Sequence, residues 1–115
     1  MKYETAKRLR KIAEKYGVEL PSSKQSFVNK NDSSSPQYEV SNLLYEHGFA
    51  DVYGFPCYTT DELLEWLPED IIIWRDSKEK YFAKRDGYDE NFSGKSPSEA
   101  LAELAIILIK KGILK

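Results

Sequence analysis

Residues 96–113, SPSEALAELAIILIKKGI, constrain the fold of this chain more than any other stretch. Ser96 is placed to cap a helix, Pro97 to occupy its first position and Glu99 its third, the start signal of a capping box. Lys110 and Lys111 fall where a helix C-terminus favours positive charge. Gly112 is positioned as a left-handed stop, with Ile113 folding back on Leu108 in a Schellman contact. Ala100, Leu101, Leu104, Ala105 and Leu108 line one face, and Ile106, Ile107 and Ile109 widen it. The last turns are therefore expected to be deeply buried, and the rest of the chain must supply the cover.

A second start signal lies in YTTDELLEWLPEDIIIWRD, residues 58–76. Thr59 and Glu62 form the S/T-x-x-E pair, and Tyr58 and Leu63 are spaced as a hydrophobic staple. Asp61 and Glu62 suit the positive end of the helix dipole. Leu63, Leu64 and Leu67 make an apolar stripe with Trp66 at its edge. Pro68 ends the helix near Trp66 or Leu67. Ile71–Trp74 then reads as a strand, and apolar residues on both faces predict a central, doubly covered position. RDSKEK (75–80) is a turn, and Tyr81–Ala83 a second, antiparallel strand ended by Asp86-Gly87.

Residues 3–16 predict a further helix, with Ala6, Leu9, Ala13 and Tyr16 on one face, Ile12 beside them and Gly17 as its stop. Residues 25–29 and 37–41 predict a hairpin around the polar stretch KNDSSSP. Residues 43–58 are dense in aromatics but broken by glycine and proline, which predicts an irregular packed connection. Residues 85–95 predict an acidic loop.

The chain has 115 residues, the length of a single domain spanning 1–115. Such a chain buries roughly 65% of its unfolded surface, enough for a core without metal or disulfide support. Net charge is −2, which argues mildly against a dedicated nucleic-acid binder. One cysteine, Cys57, excludes an internal disulfide, and a cytoplasmic location is expected. No secretory signal follows MKYETAKRLRK, and no apolar run is long enough to span a membrane.

Reactive chemistry is thinly represented. His47 and Cys57 are the only histidine and thiol. They are too few for a recognisable metal site, and as a nucleophile–base pair they lack an orienting partner. The place of Cys57 just before a helix start is the one feature that would activate it. Gly94-Lys95-Ser96 resembles the end of a phosphate loop, but Asp89 stands where the first glycine is required. Asp61 with Glu65, and Asp86 with Asp89, are acidic pairs with ordinary roles in caps and turns. No catalytic residue, cofactor or metal ligand is assigned.

Binding surfaces are better represented. Lys7, Arg8, Lys11 and Lys15 on the first helix are candidates for contact with nucleic acid or an acidic partner, joined by an aromatic such as Tyr81 or Trp74 on a sheet. Glu4 and Glu14 dilute that face. Aromatics are 13% of the chain, more than one small core readily hides. Trp66, Trp74, Tyr88 and Phe92 are candidate interface residues for a protein partner or a second copy.

Three segments, YETAKRLRKIAEKYG, CYTTDELLEWLPEDIIIW and SPSEALAELAIILIKKGIL, carry a resemblance. They look like small uncharacterised proteins of gut-bacterial genomes, their prophages and mobile elements. The shared order is a short first helix, a variable middle, a helix start ending in W-L, a strand pair and a final EAL-x-x-A helix. Thr59 through Leu67 and Glu99 through Ala102 are the matching positions, and Tyr58 stands where a proline is expected. The resemblance implies an accessory protein and transfers no site residue. The expected fold is α+β: an antiparallel sheet of three to four strands packed with an N-terminal, a middle and a long C-terminal helix. The expected role is non-enzymatic and rests on protein interaction, as a homodimer or with another chain. The alternatives are nucleic-acid binding through the basic helix and a Cys57/His47 enzyme.

Overall fold

A computed structural model of the protein describes residues 1–29, 38–41 and 55–114. In chain order these form α1 (Tyr3–Tyr16), β1 (Ser26–Asn29), β2 (Tyr38–Ser41), β3 (Phe55–Pro56), α2 (Thr60–Trp66), β4 (Ile71–Ser77), β5 (Lys80–Arg85), β6 (Asn91–Gly94) and α3 (Pro97–Lys110). The class is α+β, as expected. The strands divide into two antiparallel sheets of three, ordered β2-β1-β3 and β4-β5-β6.

Helix α3 is the centre of the molecule. Ser96 accepts the Glu99 N–H on its hydroxyl at 3.2 Å, and Pro97 occupies the first turn. Ten of its residues are buried, among them Leu101, Leu104, Ala105 and Ile109. At its end the Ile113 N–H reaches the Leu108 carbonyl at 2.9 Å and the Gly112 N–H that of Ile109 at 3.0 Å, with Gly112 at φ 75°. This is the Schellman pattern. Leu114, rather than Ile113, takes the buried position beyond it.

The Glu99 carboxylate does not turn back to close its own capping box. It accepts the backbone N–H of Lys2 on one oxygen and the Thr5 hydroxyl at 2.6 Å on the other. Lys2 is the N-cap of α1, and its own side chain makes no cap. One turn on, Arg8 meets Glu103 at 2.7 Å. The contacts advance together along both helices, so α1 and α3 run parallel with their positive ends side by side. One buried carboxylate serves both ends. Thr5, Ala6, Leu9 and Ala13 form the buried side of α1. Tyr16 was expected on that side but is 47% exposed. It is the last helical residue, and the chain leaves through Gly17 (φ 69°), so the Val18 N–H bonds back to Ala13 at 2.8 Å and Val18 fills the position instead.

Helix α2 follows its sequence signals closely. The Glu62 N–H donates to the Thr59 hydroxyl at 3.2 Å and the Thr59 N–H to Glu62 Oε1 at 2.9 Å. Tyr58 and Leu63 are both buried in the main core. Leu64, expected in the apolar stripe, is exposed; on a seven-residue helix only the Leu63 side meets α3. Glu62 also ties down the preceding loop, accepting the Lys24 N–H at 2.9 Å, while the Tyr58 hydroxyl donates to the Pro21 carbonyl at 2.5 Å.

The expected first hairpin is present, pairing Ser26 with Ser41 and Asn29 with Tyr38. Phe55 adds a third strand opposite Phe27. Phe27, Tyr38, Phe55 and Tyr3 of α1 form a satellite cluster, in which Tyr3 stacks on Tyr38 with centroids 4.1 Å apart. Burial and the hydrogen bond to Tyr38 push the Tyr3 phenol up to about 12.

Three expectations for the second sheet are corrected. RDSKEK (75–80) is not a turn throughout: β4 runs on to Ser77 and β5 begins at Lys80, because Arg75 pairs with Tyr81 and Ser77 with Lys80, which leaves the turn at 78–79. Ile71–Trp74 is not a central strand: β4 pairs only with β5 among the described residues. Ile71 and Ile73 pack on the core, while Ile72 and Trp74 are 38% and 36% exposed. The β-branched run satisfied strand propensity without requiring two covers. Residues 91–94, expected within a loop, form β6, because pairing with β5 outweighs their polar and glycine content. Ala83 of β5, fully buried, lets α3 lie close to the sheet. Gly94 does the same at its end: an added Cβ would sit 2.5 Å from Glu99 Cβ and 2.8 Å from the Ala100 nitrogen.

Gly94→Ala is accordingly expected to cost about 1–3 kcal/mol of stability in chemical denaturation. Glu99→Ala should cost roughly 2–3 kcal/mol, since it strands the Lys2 N–H and the Thr5 hydroxyl. Glu99→Gln, which keeps one acceptor, should cost less. Wild-type stability in Glu99→Ala would show that the carboxylate does not join the two helices.

Candidate binding face on the second sheet

Alternation along β4 and β5 sorts their side chains into two sets. Ile71, Ile73, Tyr81, Ala83 and Phe92 pack on the core with α3. Ile72, Trp74, Lys80, Phe82, Lys84, Asn91 and Ser93 belong to the opposite face. The register sets Ile72 across from Lys84 and Trp74 across from Phe82, with Phe82 next to Ser93 and Lys84 next to Asn91. The Trp74 and Phe82 rings stack with centroids 5.3 Å apart and planes 13° from parallel. Lys80 Nζ lies 5.3 Å from the Phe82 centroid. None of these seven side chains is a carboxylate. The face is thus an aromatic pair extended by an isoleucine, flanked by two ammonium groups and bordered by two neutral hydrogen-bonding residues. Of this set the sequence singled out Trp74; Phe82 was read only as a strand residue, Lys80 was placed in the preceding turn, and Lys84 lay beyond the expected strand.

The basic residues of α1 are more committed than their sequence implied. Arg8 is paired with Glu103, whose hydrogen bond raises the guanidinium above its ordinary value. Lys7 lies 5.9 Å from the Tyr3 ring and Lys15 5.8 Å from that of Tyr16. Lys11 is exposed. Of the candidate interface aromatics, Trp66 and Phe92 are half-buried against the main core, and Trp74 and Tyr88 reach the surface. Tyr88 rests under the Arg85 guanidinium at 4.7 Å.

A cleft of about 700 Å³ opens between the starts of α1 and α3 and the β4–β5 turn. Lys2, Lys80 and Lys95 line it together with Glu4, Glu79 and Glu103. Its charges alternate in sign and define no single ligand. Among the described residues no group of three or more His, Cys, Asp or Glu gathers as a metal site would require. No helix among them is long and apolar enough to cross a membrane.

Cys57 is buried, and desolvation pushes its thiol up, with Glu62 and Glu99 adding to the effect and the chain's N-terminal charge opposing it. The place of Cys57 before the start of α2 does not activate it: the thiol lies in the apolar layer with Ala6 and Phe27. His47 lies outside the described residues. Asp61 and Glu65 are exposed residues of α2, and Asp86 and Asp89 are exposed between β5 and β6. Iodoacetamide is therefore expected to label Cys57 in the native protein roughly tenfold or more slowly than in the unfolded chain, at a rate rising with pH through the alkaline range. Fast native labelling near neutral pH would reinstate a reactive thiol.

Comparison with family models, curated proteins and solved structures gives no match, so a functional reading rests on the chemistry of the sites themselves.

Proposed function

We propose that this is a non-enzymatic binding protein that works by presenting the open face of β4-β5-β6 to another macromolecule. The observation that carries the reading is the Trp74–Phe82 stack, in which Trp74 is exposed and Phe82 half-buried, continued by the exposed Ile72. A stacked pair held in place by two hydrogen-bonded strands is pre-organised, so a partner that covers it gains apolar burial without first ordering the rings. Tryptophan is also the residue most enriched where truncation damages an interface. The reading agrees with the accessory role implied by the sequence resemblance. A protein partner is the occupant the sequence puts first, and a second copy of the chain is included in that class.

Contact with nucleic acid through α1 is the weaker reading, because Arg8 already has Glu103 and Lys7 already has Tyr3.

Trp74→Ala and Phe82→Ala should leave the melting temperature nearly unchanged while weakening capture of the partner by roughly tenfold or more. Quantitative affinity capture with wild type and variants checks this, with Tyr16→Ala as an exposed control. Identical capture by wild type and both variants would remove the face from consideration.

A further inference from the structure

We infer that the occupant of this face is single-stranded nucleic acid, an inference that rests on the binding role proposed above. Three features of the face have to be used together by any partner. The first is the pair of parallel, part-exposed rings of Trp74 and Phe82. The second is Lys80 and Lys84, which flank Phe82 on the same side of β5, about 13 Å apart along the strand. The third is the row of Asn91 and Ser93 on β6, paired with Lys84 and Phe82. An apolar peptide segment would cover the rings but strip water from two ammonium groups without pairing them. An acidic segment would pair the lysines and leave the ring faces with little to stack on. A strand of unpaired bases supplies both: a flat π surface for the exposed part of Trp74, which the Phe82 ring backs while itself in contact with Lys80, and a phosphate for the lysine on either side. Asn91 and Ser93 add donors and acceptors suited to base edges.

The geometry also selects against a duplex. The rings lie on a sheet surface rather than on an element that enters a groove, and paired bases offer no free π face to it. The overall charge of −2 limits long-range attraction. Stacking must then carry a large share of the affinity, and the salt dependence must be shallow. Two phosphates neutralised on a single strand correspond to a slope of log K against log salt of about −1.4.

Fluorescence anisotropy of a labelled oligothymidylate of about 15 nucleotides tests this, beside a duplex of equal length and with the tryptophan emission of a Trp66→Phe variant, which reports Trp74 alone, as a second signal. Binding should favour the single strand, quench Trp74 and follow the shallow slope. Trp74→Ala should weaken it by roughly tenfold or more. Lys84→Ala, a surface change that leaves the core intact, should reduce the slope to about −0.7. Equal affinity for the duplex, or binding that survives Trp74→Ala and disappears in Lys11→Ala, overturns the inference and moves the contact to α1. Absence of binding at low salt overturns it as well. If Trp74-dependent capture of a protein persists in that case, the working face stands and its occupant is a protein; if that capture is also absent, both readings fall together.

Discussion

The fold depends on one carboxylate. Glu99 sits in the first turn of α3 and accepts from the first residues of α1, so it lies at the positive ends of two parallel helices. Parallel helices set their like poles side by side, an arrangement that disfavours contact unless an anion stands between them. Here the anion is built into the chain, buried and doubly bonded. It accounts for an N-cap on α1 that has no side-chain acceptor of its own, and for a capping box on α3 that is only half closed. Gly94 serves the same junction by bringing the end of β6 within reach of Glu99 and Ala100, while Ala13 and Ala83 are the small residues of α1 and β5 in the core around α3.

Packing around that junction explains which surface is left over. Helix α3 receives α1, α2 and the inner face of β4-β5-β6, and thereby buries most of its circumference. One sheet has two faces and α3 covers one of them. The exposed face then holds whatever the alternate residues of β4 and β5 happen to be, and these are Ile72, Trp74, Lys80, Phe82 and Lys84. A sheet face selected only for solubility would carry polar residues at the positions of Trp74 and Phe82. That departure, rather than any cleft or reactive group, is what the proposed binding role rests on. Cys57 provides the contrast: its thiol is chemically capable, but burial holds it in the neutral form.

Much of the fold was legible because many of the decisive signals are local. Thr59 and Glu62 are three residues apart and make their reciprocal bonds within one helical turn. Ser96, Pro97 and Gly112 mark the ends of α3 by the same short-range geometry. The pairing of β1 with β2 follows from the strand patterns on either side of a polar stretch of sequence. The misjudged elements have a common cause. Tyr16 and Leu64 carry helical periodicity, yet no neighbour among the described residues buries them on their side. Ile72 and Trp74 look like core, yet their cover would have to come from a layer the described residues do not supply. Asn91–Gly94 has weak strand composition, yet β5 pairs with it. The candidate face was only partly visible for the same reason. Trp74 could be named from composition, but Phe82, Lys80 and Lys84 joined it only when the register was known.

The sequence by itself therefore determined where the described helices start and stop and which segments are extended, because these follow from contacts within a few residues. Tertiary structure alone decided which acid bridges α1 and α3, which strand lies at the sheet edge and which aromatic rings meet water. Those outcomes depend on residues up to 97 positions apart, and burial is a property of the neighbour that arrives rather than of the residue that waits for it.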